Sequence, residues 1–275
     1  MTYPSIDPVL LRLGPVHVHW YGLAYVVGFI AAALLFRRLS RQWGVGLTDD
    51  DVLNALLYCV IGVLLGGRLG YVLFYGGRHY LDDPVRVFAI WDGGMAFHGG
   101  LAGIIIAGVL FARRVGVPFL RLADMAAVGA PVGFFFGRLA NFINGELWGR
   151  VTDVSWAMVF PGAGASPRHP SQLYEAVLEG LVMFVVLSVM ARRRRPTGAI
   201  FGWMLLMYGS FRLLVEFVRE PDAQLGLVLG PLTMGQLLSA PLVVLGVWFI
   251  WRALRAEDTR GAAVPGKPAK TSGSD

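Results

Sequence analysis

Seven long apolar runs, separated by short polar segments, constrain this chain more than any other feature of its sequence. Each run is close to the roughly 20 apolar residues that a helix needs to cross a bilayer. Hydrophobic residues make up 56% of the 275 residues and charged residues only 15%, so no soluble core could enclose this sequence. We therefore expect an all-α, polytopic membrane protein with seven transmembrane helices. The predicted spans are residues 20–39, 52–75, 95–111, 122–140, 173–191, 199–217 and 234–251.

Basic residues are unequally divided between the two sides of this predicted membrane domain. The segments after the first, third, fifth and seventh spans hold fifteen, namely Arg37, Arg38, Arg41, Arg113, Arg114, Arg121, Arg192, Arg193, Arg194, Arg195, Arg252, Arg255, Arg260, Lys267 and Lys270. The opposite side holds six, namely Arg12, Arg78, Arg86, Arg150, Arg168 and Arg219. Because basic loops stay in the cytoplasm, we expect the N-terminus outside and the C-terminus in the cytoplasm. The same clustering argues against nucleic-acid binding, despite a formal net charge of +6.

The chain reads as a single catalytic membrane domain, residues 1–256, with an outer-face loop region around 142–172. Residues 257–275 are polar and rich in Pro and Gly, which predicts a disordered cytoplasmic tail. The first apolar run follows no basic segment and precedes no signal-peptidase site, so we expect a retained span. The single cysteine, Cys59, excludes an internal disulfide and is expected to be a small buried hydrophobe. No metal or organic cofactor is expected.

Three arginines, Arg68, Arg138 and Arg212, fall within spans or at their ends, where a charge is costly unless it has a partner or a wet cavity. Glu216 lies one helical turn after Arg212, which allows an ion pair on one face. Tyr208 lies one turn before Arg212 and Arg219 about one turn after Glu216, so the sixth span carries a polar stripe. The alternative is a structural ion pair that joins two helices.

The densest motif is GRLANFINGELWG, residues 137–149. Arg138 and Asn141 share one face at the end of the fourth span, and Glu146 and Gly149 follow the expected helix end at Gly145. Arginine offers a planar set of donors to phosphate oxygens, and asparagine adds neutral donors, so this motif suits a phosphate ligand. The alternative is ordinary capping of a helix C-terminus, which does not explain Arg138.

Three smaller motifs lie on the same predicted side. In WDGGMAFHGGLAG, residues 91–103, His98 is the side chain best able to move a proton near neutral pH, although it could equally be a hydrogen-bonded core residue. Tyr21 opens the first span in HWYG and could belong to an interfacial aromatic belt. In HPSQLYE, residues 169–175, Ser171 suits a helix N-cap and Glu175 its first turn, which is a structural role. Pro221 is expected to end the sixth span.

Six segments together resemble the prolipoprotein diacylglyceryl transferase family. They are HWYG (19–22), GGRLGY (66–71), DGGMAFHGG (92–100), GRLANFINGELWG (137–149), HPSQLYE (169–175) and FRLLVEFVREPD (211–222). They occur in the family's order from about residue 16 to residue 251, and the fourth segment is the most specific. The resemblance implies a bacterial cytoplasmic-membrane enzyme that moves the sn-1,2-diacylglyceryl group of phosphatidylglycerol to the lipobox cysteine of a preprolipoprotein. The products would be a thioether and glycerol phosphate, with the active site toward the periplasm.

The resemblance also implies a set of functional positions. These are Tyr21, His98, Arg138, Asn141, Glu146, Gly149, Arg212 and Glu216. We assign His98, Arg138, Arg212 and Glu216 to catalysis: the arginines would neutralise the phosphate, Glu216 would hold Arg212, and His98 would lie beside the thiol, although the actual base stays open. To the substrate-binding residues Tyr21, Asn141, Glu146 and Gly149 we add Tyr208, Arg68 and Arg219 from the residue pattern.

Other functions fit the sequence less well. A transporter predicts polar residues through the whole membrane depth and an internal repeat, and the sequence has neither. An intramembrane hydrolase would need a nucleophile motif such as GxSxG or a zinc motif such as HExxH, and neither occurs. A CDP-alcohol phosphotransferase would need paired aspartates within a span. We expect a monomer whose partners are phosphatidylglycerol, membrane lipid and the preprolipoprotein signal peptide.

Overall fold

The computed structural model describes residues 1–4, 6–14, 16–75, 80, 83–89, 93–221, 227–229 and 232–262. Of the positions named above, Arg78, Trp91, Asp92, Asp222 and residues 263–275 of the predicted tail lie outside these ranges.

The described chain forms seven helices that are long and apolar enough to cross a membrane, which confirms the predicted number of spans. They are α1 (Trp20–Gln42), α2 (Asp49–Phe74), α3 (Phe97–Val115), α4 (Phe119–Ile143), α5 (Ser171–Met190), α6 (Ala199–Glu216) and α7 (Met234–Ala262). The α5 span is built from three consecutive helical segments, Ser171–Glu175, Ala176–Val182 and Met183–Met190. Helix α4 has the largest buried share of the seven and lies at the centre of the bundle.

The all-α expectation is confirmed for the membrane domain, with short additions outside it. Strands β1 (Val9–Leu13) and β2 (Val16–His19) form an antiparallel hairpin directly before α1. Strands β3 (Leu227–Leu229) and β4 (Leu232–Thr233) form a second hairpin before α7. A 3-10 turn, Pro84–Phe88, lies between α2 and α3.

Three sequence expectations at helix ends are wrong. Ser171 is the first residue of α5 and not its N-cap, and its hydroxyl donates to the carbonyl oxygen of Leu147 at 2.9 Å. Helix α6 ends at Glu216, before Pro221. The chain after it is extended, because Arg219 forms a β-bridge with Gly149 in the loop after α4. Helix α7 continues to Ala262, into the segment that the sequence assigned to the tail.

Helices α2 and α3 pack through glycine. Gly62, Gly66 and Gly70 recur every four residues on α2 and meet Gly99 and Gly103 of α3. A Cβ atom at Gly66 would lie 2.8 Å from the Cα of Gly103, closer than real side chains approach. Small residues allow this close backbone contact. It is a common way for helices to associate in lipid, where no hydrophobic driving force brings them together.

One end of the bundle, here called the basic end, is where α1, α3, α5 and α7 finish and α2, α4 and α6 begin. The indole of Trp43 donates to the carbonyl oxygen of Ala191 at 3.0 Å, which joins the ends of α1 and α5. Asp124 is fully buried and accepts from the backbone N–H groups of Gly198 and Phe201 at 2.8 and 2.9 Å. A side chain of α4 therefore caps the start of α6.

Arg121 also lies at the basic end, although its position differs from the sequence expectation. The sequence placed it in a loop, whereas it is a buried residue in the first turn of α4. Its guanidinium donates to Thr197 Oγ1 at 2.6 Å and to the carbonyl oxygen of Arg195 at 2.9 Å. Burial of the arginine is possible because these acceptors and Asp124, at 3.7 Å, surround it.

The opposite end, here called the hairpin end, carries the β1–β2 hairpin and the long loop between α4 and α5. The hydroxyl of Tyr3 donates to the carbonyl oxygens of Phe142 and Ile143 at 2.6 and 2.9 Å. These carbonyls belong to the last turn of α4, where the helix itself offers no donor. Burial raises the pKa of Tyr3, so the phenol keeps the proton that it donates.

Replacing Gly66 by alanine should lower the melting temperature of the detergent-purified protein. The added methyl group meets backbone atoms of α3, and such overpacking costs about 1–3 kcal/mol. Gly133→Ala in α4 is the matched control, since a Cβ atom there meets nothing within 4 Å. Equal melting temperatures for the two variants would contradict the glycine packing.

Candidate active site

A fully buried carboxylate, Glu175 of α5, lies inside the hairpin end of the bundle. Its Oε2 is 3.1 Å from Nε of Arg138, near the end of α4. Its Oε1 is 3.1 Å from Nη1 of Arg219, which follows α6, and also contacts Nη1 of Arg212 in α6. One glutamate thus connects three arginines, of which Arg138 is far from Arg212 and Arg219 in sequence.

Two more carboxylates surround the same arginines. Oε2 of Glu179 is 3.6 Å from Nη2 of Arg138. Oε2 of Glu216 is 3.2 Å from Nη2 of Arg212, which confirms the predicted pair one turn apart. The hydroxyl of Thr233 donates to Oε1 of Glu216 at 2.7 Å and orients it. We refer to the six charged residues as the arginine–glutamate cluster: Arg138, Glu175, Glu179, Arg212, Glu216 and Arg219.

The cluster is balanced in charge and unevenly exposed. Three guanidinium and three carboxylate groups have a formal sum of zero, and pairing is what allows charges to persist in a low-dielectric interior. The side chains of Glu175 and Glu179 are 0% exposed, whereas those of Arg138 and Arg212 are 20% and 13% exposed. The accessible side of the cluster is therefore cationic, with the carboxylates behind it.

The local helix geometry of α5 presents both glutamates to the arginines. Glu175 and Glu179 are four residues apart, and the intervening segment Ala176–Val182 is a π-helix. Wider π turns inside α-helices occur frequently at functional sites. Gly180 lies in this segment against Phe135 of α4, where a Cβ atom would be 2.8 Å from the Phe135 Cα. The close approach brings the α5 carboxylates within reach of Arg138.

A second polar group lies beside the cluster. The amide of Asn141 donates to Oε1 of Glu146 at 2.8 Å, and Asn141 is buried. Tyr25 of α1 lies within electrostatic range of both Arg138 and Glu146, and its hydroxyl donates to that of Tyr21 at 3.3 Å. The structure therefore brings Asn141 and Glu146 together and places Tyr21 beside Tyr25.

Gly149 allows the backbone around Arg219 to pack closely against the loop after α4. The two residues form an antiparallel bridge, and the Gly149 N–H donates to the carbonyl oxygen of His169 at 2.9 Å. A Cβ atom at Gly149 would lie 2.5 Å from the carbonyl oxygen of Val218 and 2.6 Å from Cβ of His169. Only glycine fits this position.

Partial burial also lowers the pKa of His169, which favours its neutral ring.

Tyr208 and Arg68 have different surroundings. Tyr208 lies within electrostatic range of Arg138 and Arg212, and its ring packs on Phe134 at 5.2 Å. Arg68 is buried in α2, where its guanidinium donates to backbone carbonyl oxygens in the segment before α3, including Val87 at 2.9 Å. Within the described residues, Arg68 forms no ion pair with the cluster. Its contacts favour holding that segment, and a substrate role stays a prediction.

His98 lies on the exposed first turn of α3 and contacts the ring of Phe97 edge-on, with 5.6 Å between ring centroids. In the part of the chain that the structure describes, no hydrogen bond joins its ring to another residue. The exposure of His98 argues against its alternative role as a core residue. Whether it meets the substrate thiol stays a prediction.

Sequence reasoning gave Glu175 only a structural role at a helix start and did not single out Glu179. Their shared signal was available in the sequence: two carboxylates one turn apart within an apolar span, each needing a cationic partner. No group of three or more His, Cys, Asp or Glu side chains among the described residues is arranged to hold a metal ion.

Seven membrane-length helices around a buried arginine–glutamate cluster define a multi-pass membrane protein with its main polar site at one end of the bundle. The family model of prolipoprotein diacylglyceryl transferase matches residues 8–252, and the chain belongs to this family. It is therefore an enzyme that acts in lipoprotein diacylglyceryl transfer.

Similar proteins named phosphatidylglycerol–prolipoprotein diacylglyceryl transferase come from several bacteria. The one from Geobacter sulfurreducens is 58% identical over 90% of this chain and 95% of its own length. The one from Nitratidesulfovibrio vulgaris strain DP4 is 52% identical over 91% and 95%, and the one from Vibrio atlanticus is 52% identical over 91% and 92%. The resemblance seen in the sequence motifs is confirmed.

Glu175→Gln should lower the melting temperature strongly, because a neutral amide leaves three guanidinium groups without their common counter-ion. Breaking a buried ion pair from one side costs about 3–5 kcal/mol. Glu220→Gln is the control: Glu220 is 44% exposed and pairs with Arg168 at 3.0 Å, so its loss should cost less than about 1 kcal/mol. Similar melting temperatures for both variants would argue against Glu175 as the centre of the cluster.

Proposed function

We propose that the chain transfers the sn-1,2-diacylglyceryl group of phosphatidylglycerol to the lipobox cysteine of a preprolipoprotein, at the exposed side of the arginine–glutamate cluster. The observation that carries this proposal is the convergence of Arg138, Arg212 and Arg219 on one buried carboxylate at a membrane face. The names of the similar proteins support phosphatidylglycerol and prolipoprotein as the two substrates. The excess of basic residues at the other end supports a periplasmic site in the bacterial cytoplasmic membrane.

The reaction defines what the cluster must do. The cysteine sulfur forms a bond to the glyceryl carbon while the bond from that carbon to the phosphate oxygen breaks. The thiol loses a proton, and the phosphodiester becomes the monoester glycerol phosphate with an added negative charge. Donors that already point at the position of that charge lower the barrier, since they need no reorganisation during the reaction.

The glutamates hold the arginines ready for this charge. Arg138 contacts Glu175 through Nε and Glu179 through Nη2, while Arg212 contacts Glu175 and Glu216. These contacts lie on the buried side of the cluster. The partly exposed sides of both guanidinium groups therefore remain on its accessible side. In this arrangement the phosphate binds to arginines whose orientation is fixed before the substrate arrives.

The proton of the thiol needs an acceptor, because the thiolate is the nucleophile. His98 fits this role because its imidazole is exposed at the start of α3 and can accept a proton. Glu179 is the second candidate: its ion pair with Arg138, at 3.6 Å, is the longest in the cluster. The formal charge of the cluster is zero, so uptake of a proton by Glu179 would also favour binding of the anionic phosphate.

Replacing Arg138 by lysine (Arg138→Lys) keeps the positive charge. Lysine lacks the planar guanidinium group that could contact Glu175 and a phosphate together. We expect the rate of thioether formation to fall about 10- to 100-fold, which corresponds to one lost charge-assisted hydrogen bond. The assay follows the diacylglyceryl mass increment on a lipobox peptide with phosphatidylglycerol vesicles. Arg12→Lys is the control, because Arg12 is an exposed residue of β1 that pairs with Asp7 at 2.7 Å. Wild-type rates for Arg138→Lys would rule out a required guanidinium that contacts Glu175 and the phosphate together.

His98→Gln should reduce the maximal rate by at least about 100-fold if the imidazole accepts the thiol proton. The remaining activity should rise with pH as the substrate thiol ionises in solution. His17→Gln, on the exposed strand β2, serves as the matched control. Retention of both the rate and the pH profile in His98→Gln would exclude His98 as the base and leave Glu179 as the candidate.

A further inference from the structure

A cavity lies at the basic end of the bundle, away from the arginine–glutamate cluster. It has a volume of about 620 Å³ and is formed by the first turn of α4, the connection between α5 and α6, and the side of α7. Pro118, Phe119, Leu120 and Ala253 give it apolar walls, and Arg121, Arg194, Arg195 and Arg252 give it four cationic groups. None of the motifs that define the transferase site includes these residues.

The arginines of this cavity contact neutral partners for the most part. Nη1 of Arg194 donates to the carbonyl oxygen of Trp43 at 3.2 Å, and Nε of Arg195 donates to that of Met190 at 3.4 Å. The guanidinium of Arg252 lies 5.8 Å from the ring centroid of Trp248. The described residues that line the cavity include no acidic side chain, so the cavity carries net positive charge.

The position of the cavity separates it from the transferase site. Arg121 and Arg138 are seventeen residues apart on α4, which corresponds to about 25 Å along a helix. That distance approaches the thickness of the hydrocarbon core of a bilayer, which is about 30 Å. The cavity therefore opens where the spans end at the other membrane surface, near the headgroups of the other leaflet.

We propose that this cavity binds the headgroup phosphate of an anionic phospholipid from the leaflet at the basic end. Arginine donors suit phosphate oxygens, and basic pockets between transmembrane helices are established sites for anionic headgroups. The volume is within the usual range for small-molecule sites and exceeds what a single phosphate requires, and the apolar walls suit the glycerol and upper acyl region. Bound there, the lipid connects α4, the α5–α6 connection and α7 and stabilises their packing.

The test uses the full-length protein in nanodiscs of phosphatidylcholine, with and without a minor fraction of phosphatidylserine, an anionic lipid other than the proposed substrate. The cavity variant is Arg194→Gln/Arg195→Gln/Arg252→Gln. The matched control, Arg38→Gln/Arg113→Gln/Arg114→Gln, removes the same charge from exposed residues of the same end that do not line the cavity. Lipid retention is measured by native mass spectrometry and stability by the melting temperature, and transferase activity, measured separately with phosphatidylglycerol vesicles, confirms that each variant is folded.

We expect the wild-type protein and the control variant to retain phosphatidylserine and to melt at a higher temperature when it is present. The cavity variant should bind it about 100-fold more weakly, as expected for the loss of three arginines near the membrane surface. Equal losses in the two variants would overturn the proposal in favour of general surface attraction. A stabilisation by inorganic phosphate in phosphatidylcholine nanodiscs that equals that of phosphatidylserine would overturn the assignment to a lipid.

Discussion

The pairing of three arginines with Glu175 is the constraint on which the hairpin end of this protein depends. A guanidinium or carboxylate group that lost its partner in this low-dielectric interior would destabilise the fold, so α4, α5 and α6 must meet in one register. Several neutral contacts serve that register. Tyr3 closes the end of α4, Gly149 allows the loop to approach Arg219, and Gly180 allows α5 to approach α4. Under the proposed function, stability and catalytic preorganisation would share the same contacts.

Much of the architecture follows from the sequence because membrane spans are local features. The length and polarity of each apolar run predict its helix within a few residues, except at the end of α7, and the spacing of Arg212 and Glu216 predicts their ion pair. Both depend on residues that are close in the chain.

The partners of the remaining charged residues could not be predicted in the same way, because they depend on tertiary structure. Arg68 and Arg138 each follow a glycine within a span, yet one binds loop carbonyls and the other binds carboxylates of α5. Glu175 lies near a helix start, where a carboxylate is ordinary, so its central position is set by Arg138, Arg212 and Arg219 from other helices. Arg121 and Asp124 were likewise assigned no site, although Asp124 caps the start of α6 from inside α4 and Arg121 donates to Thr197 in the segment before it.

Helix α4 passes through both polar regions and keeps them apart. Between Asp124 and Arg138 it carries no charged residue, and Met125 and Val128 are buried in the apolar core. A continuous polar route across the membrane, as a transporter requires, therefore does not run along this central helix. The apolar middle of α4 separates the arginine–glutamate cluster from the charged groups of the basic end.

The docking of Tyr3 has a consequence for the order of assembly. Its hydroxyl binds carbonyls of residues that are synthesised some 140 positions later, so the leading segment has no partner until the fourth helix has entered the membrane and turned. Tyr3 therefore reaches its acceptors only after more than half of the polypeptide has been made. Its burial marks the moment when the hairpin end closes.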